Sequence, residues 1–485
     1  MTVLNIVLFS ILGILALIVA LLLLLILISI AHTLLIPSKK STYSPKPDTD
    51  RAMVYAKKLS RMVQCETISL SSLDQISKFH AFHKVLEDLF PLVHQHLEKI
   101  EIDGNLLFHW KGKSSEKPIV LMSHQDVVPA EGTWIHEPFS GDIADGKVWG
   151  RGAGDTKCSL MAFFQAVEEL LQNNYVPNND VWLSSSCTEE IGGDGCPKLV
   201  AELKKRGVKP FLVCDEGGGI IGRPIAGING LYAMVGVFEK GKADVKFIAR
   251  SNGGHSSTPS PNSPIARLAA FVNDIETHNV FKRKMSKEVS AMFRTLAPYA
   301  SFPLKWVFSN LWLFRPILVQ VMPAINSQAA AMLKTTIAFT MQSGSDATNV
   351  IPQEATLCAN LRFIPHQGMD ESLAILHKYA TKHGLEMQVL SASDFTTPVD
   401  INGAGFSTIL NTIARTFPGL PASPYVMTGA TDSRFYQEIC PNVVRFAPVI
   451  YNPEQMKGMH GLNETIEYSC LPGAVDFYKN LIAAI

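Results

Sequence analysis

The stretch PIVLMSHQD, residues 118–126, decides the fold. A short apolar run ends abruptly in Ser123, His124, Gln125 and Asp126. Such a run, bounded by polar residues, suits a strand buried on both faces of a sheet. The pattern recurs: 181–187 runs into Thr188, Glu189 and Glu190, and 210–214 runs into Asp215, Glu216, Gly217 and Gly218. Two further clusters are Gly-Arg-Gly-Ala-Gly-Asp at 150–155 and Met-His-Gly at 459–461. Leu160, Phe164, Val167 and Leu171 carry the spacing of an amphipathic helix over 156–173, so Asp155 sits at its N-terminal edge. Strands alternating with helices predict an α/β fold with a mostly parallel, helix-covered sheet. In that architecture the carboxyl ends of the strands open on one crevice, where ligands bind. Two imidazoles and at least three carboxylates delivered there predict a divalent-metal site.

Outward from this core the pattern continues and then changes. A helix follows residue 50, with Met53, Ala56, Leu59, Met62 and Val63 on one side, and 443–450 reads as another strand. In the middle, 243–250 alternates apolar and polar residues, as a strand buried on one face does. Further strands over 335–340, 355–364 and 385–390, with helices over 264–276 and 370–383, predict an α+β module inserted at 242–391. The catalytic domain would then lie in two parts, 50–241 and 392–485. Within the insertion, 285–332 is apolar and holds Trp306, Phe308, Trp312 and Phe314, interrupted by Lys305 and Arg315. That composition argues against a second membrane span. It suits a subunit contact, hence a homodimer through the inserted domain, core packing, or a greasy lip over the site that could hold a fatty-acyl chain.

The chain has 485 residues, too many for one ordinary core. Its 43 basic and 43 acidic residues balance, and no basic block marks a nucleic-acid partner. Eight dispersed cysteines without a Cys-x-x-Cys pair do not form a disulfide framework. Residues 1–38 carry no charged side chain beyond the terminus, and 3–30 is almost wholly apolar. As a helix that stretch reaches roughly 40 Å, more than the ~30 Å hydrocarbon core. It also exceeds the apolar stretch of a cleaved signal peptide and lacks its basic flank. We therefore expect a single-pass membrane anchor over 3–35 and a linker over 36–49. Lys39, Lys40, Lys46 and Arg51 would favour a cytoplasmic body.

The adjacent glutamates Glu189 and Glu190 can divide labour in a loop leaving a strand. One can bind metal while the other takes the proton of an attacking water. Asp155 has two oxygens with which to bridge two cations ~3.5–4 Å apart. Its place before a helix favours the ionised form. Asp126 is spaced to orient the His124 imidazole. Each element alone is common; their ordered conjunction at strand ends is not.

With these residues in view, the sequence resembles the co-catalytic zinc peptidases that include aminoacylase, glutamate carboxypeptidase, carnosinase and carboxypeptidase S. The matching segments are SHQDVVPA 123–130, WIHEPFSGDIADGKVWGRGAGDTK 134–157, TEEIGG 188–193, CDEGG 214–218, GGHSS 253–257, NVIP 349–352, TDSRFY 431–436 and MHGLNE 459–464. The likeness spans about 50–485. It is greatest to carboxypeptidase S and to relatives that act on N-fatty-acyl amino acids. It implies two Zn²⁺, or other divalent cations, bridged by Asp155, with His124 and Asp215 completing one site and Glu190 and His460 the other. Glu189 would be the general base, and Asp126 would hold His124. His255 on the inserted lid would stabilise the oxyanion, in some relatives from the partner subunit. Asn349, Arg362 and Arg434 would grip a substrate carboxylate, which arginine binds bidentately. The Asp155–Thr156 peptide would be cis. Thr188 and Thr156 depart from the family's usual aspartates and make the site less negative.

The implied reaction is hydrolysis of the amide bond to a C-terminal amino acid with a free carboxylate. The alternative is hydrolysis or synthesis of N-fatty-acyl amino acids, and a less favoured one is a membrane binding protein that has lost catalysis. The resemblance also implies a lumenal or extracellular body, against the reading of the basic flank.

Overall fold

A computed structural model describes residues 3–46, 48–69 and 76–485. Pro47, in the expected linker, lies outside the described residues.

The main sheet has ten strands and is mixed, parallel at its centre with antiparallel pairs on both sides of it. Ser114–Met122 pairs in parallel with Asn179–Ser185 on one side and Leu212–Asp215 on the other. Val443–Arg445 extends the parallel set beyond Leu212–Asp215. Ile119, Val120, Leu121, Val181, Leu183, Leu212 and Val213 are all buried. Burial on both faces is why these strands read as continuous apolar runs rather than alternating ones. Helices Thr49–Val63, Lys157–Gln172 and Leu471–Ala483 pack together on one face. Gly195–Lys205 covers the other face through Cys196, Leu199, Val200 and Leu203. The fold is α/β.

A second sheet of four antiparallel strands follows, in the order Thr336–Ser343, Glu354–Phe363, Gly241–Arg250, Glu386–Ser393. Glu354–Phe363 alternates buried and half-buried residues along its whole length. The inward residues meet helices Pro264–Thr277 and Met369–Lys382 in a separate core of Val245, Phe247, Phe271, Leu361 and Leu376.

The apolar segment between these strands does not join that small core. It forms helices Lys287–Leu296, Phe302–Ser309, Leu311–Ile325 and Ser327–Leu333. Met292, Phe293, Phe308, Leu311, Val319 and Leu333 belong to the main core instead. Phe293 and Phe308 stack with centroids 4.6 Å apart.

Val3–Leu35 is a single helix; the most apolar 18 residues of its Val7–Leu35 portion have a mean hydropathy of 3.6 and none is buried, whereas Ser29 and Thr33 near its C-terminal end are. The segment after it is docked rather than free. Lys39 N donates to Pro298 O, Ser41 Oγ to Leu231 O and Thr42 N to Gly419 O.

Candidate metal centre

Three parallel strands end at the same edge of the sheet, and each hands over a chain segment bearing an imidazole or carboxylate to the crevice. His124 follows Ser114–Met122, Glu189 and Glu190 follow Asn179–Ser185, and Glu216 follows Leu212–Asp215. Asp155 enters just before the helix Lys157–Gln172. His460 follows the short helix Pro453–Gly458 and has φ 56°. That left-handed backbone is uncommon outside glycine. The Asp155–Thr156 peptide is cis.

Asp155 is the hub. Its Oδ1 lies 3.2 Å from His124 Nε2 and its Oδ2 lies 3.0 Å from His460 Nε2. Glu216 Oε1 is 3.5 Å from His124 Nε2, and Glu190 Oε2 is 3.1 Å from His460 Nε2. Two clusters result, His124–Asp155–Glu216 and Asp155–Glu190–His460, each with ligand-type atoms converging within 4.8 Å. One carboxylate shared between two imidazole-and-carboxylate groups is a donor set suited to divalent metal.

The expected ligand Asp215 is not in either cluster; its neighbour Glu216 is. Asp215 is the last residue of its strand, buried, and its Oδ2 accepts from Ser433 N at 3.1 Å. Successive side chains on a strand point to opposite faces, so only one of this adjacent pair can reach the crevice. The turn that presents Glu216 needs its glycines. Gly217 has φ +100°, and a Cβ on Gly218 would sit 2.4 Å from the carbonyl oxygens of Arg445 and Met234.

Asp126 acts with both backbone and side chain. Its carbonyl oxygen takes His124 Nδ1 at 2.9 Å, while Oδ1 is 3.5 Å from the same nitrogen. A proton on Nδ1 leaves the Nε2 lone pair aimed at the cluster. The other carboxylate oxygen, Oδ2, accepts from Glu190 N at 3.0 Å and from Ser69 Oγ, which ties the glutamate loop to the histidine strand. Thr188 Oγ1 accepts from Gly195 N at 3.0 Å and so braces the same loop.

Glu464, unremarked as a site residue in the sequence, supports the hub from below. Its Oε1 accepts from Gly154 N and Asp155 N, both at 2.9 Å, and its Oε2 takes Arg151 Nη1 at 2.7 Å. Asp432 is likewise buried, accepts from Ser186 Oγ, and is pushed up to about 7 by burial and by the nearby Asp126 and Asp215 charges.

The electrostatics follow from crowding carboxylates into a dry crevice. Burial and the Asp155 charge push Glu216 up to about 8. Burial, then the charges of Glu216, Asp432 and Glu190, hold Glu189 well above its ordinary value against the pull of His124. Burial also opposes ionisation of Asp155, but hydrogen bonds from His124 and His460 overcome it and keep its carboxyl low. Hydrogen bonds to Asp155 and Glu190 raise His460 to about 10. Glu190 Oε1 is buried without a hydrogen-bond partner among the described residues. Excess negative charge plus an unpartnered ligand-type oxygen fits divalent cations.

Glu189 belongs to neither cluster but lines the same cavity, about 450 Å³, with Asp155, Glu216 and His460. Its remaining wall includes Met234, Met292, Met332, Met427, Met456 and Met459.

The residues expected to bind substrate are only partly gathered. Arg434 lies on the turn Asp432–Glu438, its Nη2 about 3.8 Å from where a Gly192 Cβ would be, and its Nε is buried without a hydrogen-bond partner among the described residues. Arg362, on Glu354–Phe363, is close enough to Arg434 for that charge to add to burial in lowering its pKa. His255 and Asn349 lie together on the inserted module, where Ser256 N donates to Asn349 O. Both are exposed, and neither lines the cavity.

The sequence profile of Peptidase family M20/M25/M40 matches residues 120–484. A probable carboxypeptidase S-like protein 2 of Dictyostelium discoideum is 32% identical over 440 residues, covering 88% of this chain and 84% of its own. The human N-fatty-acyl-amino acid synthase/hydrolase is 33% identical over 434 residues, covering 87% and 86%. Among solved structures, human carnosine dipeptidase 1 superposes with a TM-score of 0.62 at 15% identity, covering 90% of this chain and 97% of its own. An M20 family metallo-carboxypeptidase of Sulfolobus solfataricus gives 0.62 at 18% identity, covering 88% and 99%. The structural likenesses bear on the fold.

Proposed function

This chain is a metallohydrolase of peptidase family M20/M25/M40, and from that premise we propose a membrane-anchored dizinc enzyme that cleaves the amide bond to an amino acid bearing a free carboxylate. The observation that carries the proposal is Asp155, whose two oxygens each serve a separate histidine-and-glutamate cluster beside Glu189. His124, Asp155 and Glu216 would hold one ion, and Asp155, Glu190 and His460 the other. Ions so held would supply Lewis acidity to the amide carbonyl and lower the pKa of a water. Glu189 would accept the proton of the water as its oxygen adds to the amide carbon, and deliver it to the nitrogen as the C–N bond breaks. Glu464 and Asp126 position the hub and the His124 imidazole. Arg434, with Arg362, would grip the carboxylate; a guanidinium beside the loop that carries Glu189 and Glu190, with a buried Nε that has no partner among the described residues, supports that role.

Residues 242–391 are proposed as the inserted lid and 50–241 with 392–485 as the catalytic body. A homodimer through the lid would bring His255 and Asn349 of one copy to the crevice of the other. Val3–Leu35 would span the bilayer. A body on the lumenal or extracellular side is the orientation the likeness to carboxypeptidase S favours.

A second reading concerns the group on the nitrogen. The methionine-rich wall favours a long, flexible acyl chain, because thioethers pack irregular apolar shapes well. A panel of peptides and of acetyl, octanoyl and oleoyl amino acids, assayed with added Zn²⁺ and with a chelator, separates the two. Chelator-sensitive release of amino acid is expected. No such release from any substrate would overturn the proposed reaction, and equal rates on acetyl and oleoyl compounds would remove the acyl reading.

Metal content tests the reassigned ligand. Glu216→Ala is expected to lose about one of two equivalents of zinc, whereas Asp215→Asn keeps both. Retention of both equivalents by Glu216→Ala, measured by elemental analysis, would return the ligand role elsewhere.

A further inference from the structure

Helices Phe302–Ser309 and Leu311–Ile325 meet at a bend of 106°. They touch the C-terminal turns of Val3–Leu35 by an unusually polar set of contacts. Asn310 Nδ2 donates to Ser29 O at 3.0 Å and to Thr33 Oγ1 at 2.8 Å. Trp306 Nε1 donates to Ser29 Oγ at 2.8 Å, and Lys305 Nζ to Ser38 Oγ at 2.9 Å. The elbow is therefore fixed to the end of the long apolar helix from Ser29 outward. By helical rise, Ser29 lies about 10 Å inside Ile36 along that helix.

One face of this elbow has no protein against it among the described residues. Phe302, Trp312, Ile317, Val321 and Ile325 are 50%, 52%, 59%, 47% and 75% exposed. On Leu311–Ile325 the last three recur every four residues and so form one stripe. The opposite side is occupied, since Leu311 and Val319 are buried in the main core. At ~1.5 Å per residue, helices of 8 and 15 residues reach roughly 12 and 22 Å, short of the ~30 Å hydrocarbon core. Together with the bend, that excludes a straight crossing.

We infer that this elbow is a second membrane contact, lying in the headgroup and acyl boundary of the leaflet that the anchor's C-terminal turns leave. The inference rests on reading Val3–Leu35 as membrane-spanning. The depth agrees: interfacial helices bury their apolar face ~5–10 Å, and the elbow is tied to the anchor over that interval. Trp306 and Trp312 supply indoles at headgroup level, where such rings concentrate. The elbow's flanking helices Lys287–Leu296 and Ser327–Leu333 contribute Met292, Gln328 and Met332 to the cavity wall. The cavity's insertion side thus stands one helix from the lipid.

The test uses the full chain reconstituted in phosphatidylcholine vesicles with dibrominated acyl chains. Tryptophan emission of the parent is compared with that of Trp312→Phe, and bromolipid quenching with acrylamide quenching. The emission component lost in Trp312→Phe is expected to be quenched by bromolipid and shielded from acrylamide. The triple variant Ile317→Asp, Val321→Asp, Ile325→Asp is expected to reverse that preference at Trp312. A Trp312 component quenched by acrylamide alone would overturn the contact. A component shielded from both quenchers would also overturn it and point to a second copy on this face. Resistance of the vesicle-bound protein to alkaline carbonate reads the anchor separately: loss of that resistance refutes the spanning helix, whatever the quenching shows at Trp312.

Discussion

Glu189→Gln is expected to bind metal like the parent and to lose roughly 10²–10⁴-fold in kcat. The side chain lines the cavity beside Asp155 and His460 but joins neither ligand-type cluster. Its amide replacement keeps the shape and removes only the ability to accept a proton. Its place in the cavity beside Asp155, Glu216 and His460 puts a carboxylate next to where an attacking water would sit. Glu190→Gln is the informative contrast. That residue points an oxygen at His460, so the substitution should lower zinc content before it lowers turnover per bound metal. Steady-state kinetics with elemental analysis on both variants decides the assignment. A Glu189→Gln enzyme within threefold of the parent kcat would remove Glu189 from proton transfer.

Strand ends were legible in the sequence because central strands of a parallel set are apolar on both faces and stop at polar residues. His124, Glu189 and Glu190 were found that way, and the structure delivers them to one edge with Asp155 and His460. The choice between Asp215 and Glu216 was not legible. Both are carboxylates, they are adjacent, and strand alternation says only that they diverge, not which face holds the crevice. Glu464 was hidden for another reason. Its partners Gly154, Asp155 and Arg151 lie some three hundred positions away, and although Glu464 closes the MHGLNE segment, nothing local says which backbone it holds. The apolar segment 285–332 was visible as composition alone. Whether its aromatic residues faced core, partner or lipid depended on Asn310 finding Ser29 and Thr33, a contact between chain segments that no local periodicity encodes.

Arg445→Met should be the most destabilising single change outside the cluster, costing about 3–5 kcal/mol. Arg445 is 0% and Glu239 1% exposed, and Arg445 Nε donates to Glu239 Oε1 at 2.7 Å. The same glutamate oxygen accepts from Thr431 Oγ1 at 2.8 Å and Ser433 Oγ at 3.3 Å. Removing the guanidinium leaves a carboxylate in the core with hydroxyl partners only, and the cost is that of an unpaired buried charge rather than of a lost contact. The pair lies beneath the crevice: Ser433 N also holds Asp215, and Arg445 pairs with Asp215 in strand register. Loss of the arginine should therefore loosen the Asp215–Glu216 turn and weaken zinc binding as well as folding. The double variant Arg445→Met, Glu239→Leu removes both charges together, and replacing a buried pair by apolar groups is often neutral. It should recover most of the lost stability, whereas Thr431 and Ser433 lose their acceptor in it, so zinc retention should recover less. Thermal melts of the detergent-solubilised protein, with zinc content read in parallel, test both statements. A single variant melting within a degree of the parent would mean that water or a rearranged neighbour already satisfies Glu239, and the pair would then carry neither stability nor the turn.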